Sequence, residues 1–144
     1  LLDGSVATSQ NVFTCADTTI ADEQYVVKCA ADINKEVTAS IGCAVMTGAG
    51  AVENTAGVKE GESVVIFGVG GVGLSAVVAA KAVKANPIIA VDLDDNKLKF
   101  AAQFGATHTI NAGNENAIEK IKALTVDPSR RSFMGTPVSG ADYA

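Results

Sequence analysis

The stretch "VVIFGVGGVGLS", Val64 to Ser75, sets four glycines in an apolar run with neither a charge nor an amide. Such a run can be a membrane segment, a core strand, or a turn that cradles phosphate. The uncharged stretch reaches from Val64 to Ala80, 17 residues, at the lower edge of what crosses a bilayer. Glycines crowd its first third. Lys59, Glu60 and Glu62 in front and Lys81 and Lys84 behind supply no aromatic belt, so a membrane span is rejected. Periodicity favours another reading: Ser63 to Phe67 is a short β-branched run, and Val72, Ala76, Ala79, Ala80 and Val83 recur at helical spacing. A strand therefore turns into a helix across the glycines.

Gly68, Gly70 and Gly73 form GxGxxG at that junction. The first glycine permits a tight turn, the second lets backbone approach a pyrophosphate, and the third allows close packing of helix on strand. The helix N-terminus then offers unpaired N–H groups to the anion. Asp92 closes the next apolar run, 19 residues after Gly73, where a carboxylate accepts hydrogen bonds from an adenosine ribose and repels a 2′-phosphate. The pattern points to NAD rather than NADP.

Outward from this core, "NPIIAVD" supplies a turn and a buried strand, Ile88 to Val91, and "DNKLKFAAQF" places Leu98, Ala101 and Ala102 on one helical face before Gly105. A third strand, Thr107 to Ile110, a helix with Ile118 and Ile121 inward, and a fourth strand at "ADYA" follow. Strands alternating with helices predict an α/β fold with a parallel sheet covered on both faces. The run "DLDDN" is not a calcium loop: the sixth and twelfth positions are Lys97 and Gln103 rather than Gly and Glu. Asp94 and Asp95 instead open a helix, where a carboxylate favours the positive end of the dipole.

Composition limits the partners. At 144 residues the chain is about one domain, and with 5% aromatic residues and no Trp its core must be Val, Ile and Ala. Eleven basic against sixteen acidic residues give net charge −5, and no basic cluster exceeds Arg130-Arg131, which disfavours nucleic acid and anionic membranes. Cys15, Cys29 and Cys43 form no CxxC and leave an odd thiol, so a reducing, cytoplasmic setting is expected. The chain begins "LLDG", without Met or a secretory signal, and is expected to start inside a longer protein.

"GCAVMTGAGAV", "KEGESVVIFGVGGVGLS", "IIAVDLDDNKL" and "FGATHTIN", in this order between Ile41 and Asn111, resemble the zinc-containing, NAD-dependent alcohol dehydrogenases of the medium-chain dehydrogenase/reductase superfamily. The resemblance implies a partial Rossmann-like sheet of about four strands, order 3-2-1-4, over residues 41–144, preceded in 1–40 by a remnant of a GroES-like catalytic domain to which "DGS" and "TTIADEQYVVK" correspond. It implies that Gly68, Gly70, Gly71 and Gly73 hold the pyrophosphate, that Asp92 and Lys97 lie at the ribose, and that Thr47 and Val72 touch the nicotinamide. Cys43 matches the third ligand of the catalytic zinc, whose family set is Cys2His.

The family's other two zinc ligands lie upstream of this sequence, its four-cysteine lobe is absent, and His108 stands where the family has a strand flank. The expectation is a piece that binds NAD(H), contains no catalytic residue, holds no zinc alone and turns over no small alcohol or aldehyde alone. A non-catalytic module pairing with another copy through its open sheet edge is the alternative. Residues 126–139, with Pro128, Arg130, Arg131 and Pro137, are expected to be a mobile inserted loop, because proline and charge resist packing.

Overall fold

A computed structural model describes residues 17–144. Cys15 and the first part of the expected catalytic-domain remnant lie outside the described residues. The chain divides into two compact units, Leu1–Asn34 and Lys35–Ala144, where the sequence reading divides it after Ser40. In the first unit the described residues make a single 3-10 turn, Glu23–Tyr25, which the Asp22 carboxylate caps by accepting from the Gln24 N–H at 3.1 Å. None of them is buried.

The second unit opens with a helical run over residues 35–56, here α1. It comprises an α-helix Lys35–Ser40, a π-helical turn Ile41–Val45, an α-helix Met46–Gly50 and a second π-helical turn Ala51–Ala56. Gly57 ends it in the left-handed region at φ 65°, a conformation glycine adopts without steric cost. Then come β1 (Val64–Phe67), α2 (Gly71–Ala82), β2 (Ile88–Asp92), α3 (Asp95–Phe104), β3 (His108–Asn111), α4 (Ala117–Leu124), β4 (Val126–Arg131) and β5 (Pro137–Ser139).

The fold is α/β. β1, β2 and β3 pair in parallel, with β2 central and Val64 opposite Ile88 and Ile89 opposite His108 in register. Because strand side chains alternate, Val64, Ile66, Ile88 and Ala90 pack on one face with Val77 and Ala80 of α2 and Leu98 and Ala101 of α3. Val65, Ile89, Val91 and Ile110 pack on the other with Ile121 of α4. Ile89, Ile110 and Val77 are the largest fully buried side chains, each contributing about 1.5–3 kcal/mol by leaving water. The 17-residue uncharged stretch is thus strand, turn and helix, and among the described residues no helix is long and apolar enough to cross a membrane.

Local chemistry sets the boundaries. Asp94 caps α3 by accepting from the Asn96 N–H at 2.8 Å, and Asn116 caps α4 through the Glu119 N–H at 3.3 Å. Gly105, at φ 136°, closes α3. β3 begins one residue later than expected, because the Thr107 hydroxyl accepts from the Ile88 N–H at 2.9 Å and donates to its carbonyl at 3.0 Å. Two expected core positions are corrected. Ala102 is exposed while Leu98 and Ala101 are buried, and Ile118 is exposed because α4 turns Ala117 and Ile121, one helical turn apart, to the sheet.

The expected fourth strand is reduced to one parallel bridge, between Tyr143 and Val64, on the side of β1 away from β2. What pins it is Ser63, a buried polar residue directly before β1. The Asp142 carboxylate accepts from the Ser63 N–H at 2.9 Å and the Ser63 hydroxyl at 2.7 Å, while the Asp142 N–H donates to Ser63 Oγ at 2.9 Å. Asp142→Ala leaves two buried donors without this acceptor and should cost about 1–3 kcal/mol, read as a lower urea midpoint. A midpoint equal to that of wild type would show that the clamp contributes nothing.

The 126–139 segment is a further correction: it is not a loop throughout but contains an antiparallel hairpin of β4 and β5, with Val126 opposite Ser139 and Arg131 opposite Pro137. The prolines are accommodated where they cost least. Pro128 lies in the irregularity between Asp127 and Arg131, and Pro137 is the first residue of β5. Asp127 Oδ1 accepts from the Ser129 N–H at 2.8 Å and its hydroxyl at 2.6 Å, fixing that bulge. Gly135, at φ 79°, turns the tip.

Candidate functional site

β1 delivers the chain into the glycine turn, and each glycine there has its own reason. Gly68 sits at φ 81°, a turn conformation that side chains resist, and its N–H donates to the Val91 carbonyl at 2.7 Å. Gly73 lies against the strand end: a Cβ there would stand 2.0 Å from the Gly68 carbonyl oxygen and 3.3 Å from Ile66 Cγ2. Gly70 is the opposite case. It caps α2 in ordinary extended backbone, is exposed, and a Cβ on it would meet nothing within 4 Å. That space adjoins the first turn of a 12-residue helix, whose leading N–H groups lack helical partners. A Cβ on Gly71 would stand in ordinary contact, 3.5 Å, with Ala44 of α1.

Asp92, the last residue of β2, reaches back to this turn. Its Oδ2 accepts from the Val69 N–H at 2.9 Å, and its Oδ1 accepts from the N–H groups of Leu93 at 2.8 Å and Asp94 at 3.1 Å. The Asp94 and Val69 N–H groups do most to hold this carboxyl below the usual carboxylate range. Desolvation opposes them, and the Leu93 N–H and the Lys97 charge assist. A carboxylate presents about four acceptor positions, so three backbone bonds leave one for a ligand hydroxyl. Sequence reasoning expected Asp92 to be a ligand group and missed that it ties the end of β2 to the glycine turn.

Thr47, Gly68, Val72 and Gly73 all line one apolar cavity of about 420 Å³ between α1, β1 and α2. Gly48 brings the two helices together there, since a Cβ on it would stand 2.1 Å from the Val72 carbonyl oxygen. Gly68 and Asp92 share a second, open hollow of about 280 Å³ with Phe67, Val91 and Leu93. Gly70 and Gly71 stand on the turn itself, and Lys97 is exposed on the first turn of α3. Tight glycine turn, open backbone, helix start and carboxylate suit an adenosine diphosphate group.

The metal reading fares differently. Cys43 is an exposed free thiol on the π-helical turn of α1, and among the described residues no three His, Cys, Asp or Glu side chains are grouped to hold a metal. His108 stands at the start of β3 with its Nδ1 2.9 Å from Thr107 Oγ1. One thiolate does not make a four-coordinate zinc site, so the described residues do not fit the metal. Nor do the carboxylates of "DLDDN" form a calcium loop, since Asp92 and Asp94 accept from backbone N–H groups of their own turn.

Known proteins similar to the chain are mostly dehydrogenases, with a lyase among them: the aliphatic (R)-hydroxynitrile lyase of Linum usitatissimum is 58% identical over 72 residues, which are 50% of this chain and 17% of that protein. The family model described as zinc-binding dehydrogenase matches residues 71–139. The S-(hydroxymethyl)glutathione dehydrogenase of Paracoccus denitrificans is 40% identical over 132 residues, which are 91% of this chain and 34% of that protein. Among solved structures, an alcohol dehydrogenase zinc-binding domain protein from Burkholderia ambifaria aligns at TM-score 0.68 and 39% identity, covering 74% of this chain and 29% of its own. Benzyl alcohol dehydrogenase from Acinetobacter calcoaceticus aligns at TM-score 0.63 and 43% identity, covering 67% of this chain and 27% of its own. The chain spans about a third of the length of these relatives.

Proposed function

We propose, for a chain that belongs to the zinc-containing alcohol dehydrogenases of the medium-chain dehydrogenase/reductase superfamily, that its glycine turn and Asp92 bind NAD(H). The observation that carries this reading is the open backbone of Gly70 at the head of α2, joined through Val69 to the carboxylate of Asp92. In this reading the N–H groups at the start of α2 hold the pyrophosphate and Gly70 admits it. The free acceptor position of Asp92 takes a ribose hydroxyl, with Lys97 beside it. A negative charge there disfavours a 2′-phosphate, hence NAD over NADP. Thr47 and Val72, on the apolar cavity, are assigned to the nicotinamide end.

The cofactor, when bound, would supply hydride transfer at its nicotinamide ring. What this chain contributes is binding and orientation; no step is derived through zinc, which its described residues do not fit. Oxidation of a small alcohol, or reduction of an aldehyde, is proposed for a whole enzyme that includes residues beyond these. Residues 1–40 are assigned to the end of a catalytic domain and 41–144 to the cofactor domain. The free thiols of Cys29 and Cys43 fit the reducing cytoplasm. Self-association is proposed at the β1 edge, where Tyr143 makes a single bridge, and sedimentation at several concentrations tests it.

Calorimetry with NADH and with AMP tests the reading directly, and no heat from either at millimolar concentration would sink it. Gly70→Val adds the sharper control. Its Cβ enters the space proposed for the pyrophosphate and would meet no protein atom within 4 Å, so the cost to folding should be that of a poorer N-cap, about 1 kcal/mol. NADH affinity should fall at least about tenfold. Unchanged affinity would place the ligand elsewhere.

A further inference from the structure

The structure assigns Asn111 as the residue that positions the ribose-binding carboxylate, an inference that rests on the reading of Asp92 as the ribose ligand. Asn111 ends β3 directly opposite Asp92 in the parallel register. Its side-chain Nδ2 donates to the Leu93 carbonyl at 3.2 Å and to Asp95 Oδ1 at 2.6 Å, while its Oδ1 accepts from the Gly113 N–H at 2.9 Å. The chemistry fixes this amide orientation: the two groups at Nδ2 can only accept, and the one at Oδ1 can only donate. One side chain thus ties the turn after β2, the first residue of α3 and the loop after β3.

Backbone bonds hold the two ends of that turn, the Asp92 carbonyl accepting from the Ala112 N–H and the Asp94 carbonyl from the Leu98 N–H, each at 3.1 Å, and leave the Leu93 carbonyl between them to Asn111. Leu93 is 72% exposed, so apolar packing does not set its peptide, and Asp94 is spent on capping α3. Yet the N–H groups of Leu93 and Asp94 are the donors that aim Asp92 Oδ1. Asn111 fixes the Leu93–Asp94 peptide by its carbonyl oxygen, and the N–H of that same peptide is the Asp94 donor to Asp92. Removing the amide frees the Leu93–Asp94 peptide to rotate, and the carboxylate loses one of its three orienting bonds, that of the Asp94 N–H, without itself being changed. Asn111 is accordingly a positioning residue, acting on the ligand through Asp92. Its effect falls on the ribose hydroxyls and not on the phosphate.

AMP and 2′-deoxy-AMP, titrated calorimetrically into wild type, Asn111→Ala and Asp92→Ala, test this. Wild type should prefer AMP. Asn111→Ala should lose about five- to tenfold in AMP affinity, the scale of one orienting hydrogen bond, with less than a twofold change for 2′-deoxy-AMP. The preference then collapses toward that of Asp92→Ala. An Asn111→Ala preference equal to that of wild type, or a parallel loss for both nucleotides, overturns the inference while leaving the Asp92 reading intact. Wild type binding both nucleotides equally sinks the Asp92 reading, and this inference with it. Should Asn111→Ala fail to fold by circular dichroism, Asp95→Ala removes the far end of the 2.6 Å bond and is judged by the same ratio.

Discussion

Gly73→Ala is expected to destabilise the second unit by about 3 kcal/mol or more, beyond the 1–3 kcal/mol usual for an added methyl group in a packed site. The reason is what the methyl meets. At 2.0 Å from the Gly68 carbonyl oxygen and 3.0 Å from its carbon, it collides with backbone rather than with a side chain that can rotate away. Relief requires α2 to lift from β1, and that contact carries Ile66, Ala76 and Val77 of the larger core. Against a typical total stability of about 5–15 kcal/mol such a loss is readily measured. The urea midpoint should fall sharply, and NADH binding should fall with it because Gly68 sets the turn. A variant within about 1 kcal/mol of wild type would show that the helix rests farther from the strand than this structure has it. Gly70 and Gly73 therefore separate: substitution of the first should remove binding and spare the fold, and substitution of the second should damage both.

Asp92→Asn should cost stability and affinity together. An amide has one acceptor oxygen, so its NH2 group must face either the Val69 N–H or the paired N–H groups of Leu93 and Asp94. Losing even one bond to the charged group costs about 1.5–3 kcal/mol. The proposed ribose contact goes as well, and NADH affinity should drop by roughly a hundredfold if two such bonds fail. The pH dependence follows from the depressed titration of the folded carboxyl, whose leading cause is the Asp94 N–H, with the Val69 N–H next. A group titrating lower in the folded chain stabilises it at pH values above its unfolded value, about 3.9, and that stabilisation is lost as pH falls through the folded value. Urea midpoints measured from about pH 6 downward should therefore decline less steeply in the Asn variant. Parallel slopes would mean that Asp92 titrates alike in both states.

The sequence was most legible where one short-range rule decided the outcome. The glycine spacing and the β-branched run announced the β1 to α2 junction, Asp94 announced a cap, and Gly105 an ending, because each depends on neighbours within a few residues. α1 was not legible as a helix. "GCAVMTGAGAV" has no polar face to contrast with an apolar one, and its packing rests on Gly48 meeting Val72 and Ala76, an encounter only the folded chain supplies. The hairpin was missed because proline and arginine suggested a loop. Its turn is instead stabilised by the Ser132 N–H donating to the Thr136 carbonyl at 2.8 Å, and its bulge by the carboxylate of Asp127. Ser63 and Asp142 lie 79 positions apart, and no local pattern joins them. Of the candidate site, the groups proposed to face the ligand were named from the sequence and their supports were not. Asp92 follows from its distance to the glycines, whereas Asn111 becomes visible only when β3 is laid beside β2.

The crossing at Gly48 acts as a hinge pin with no play in it. α1 and the head of α2 touch backbone to backbone, so Thr47 and the Cys43 thiol ride on the same stiff lever as the glycine turn. At this point Gly48 contributes no side chain that could give way, so a shift of one helix there presses on the backbone of the other. Tuning the chain at position 48 would therefore retime the glycine turn and the thiol-bearing helix together, from a residue with no side chain of its own.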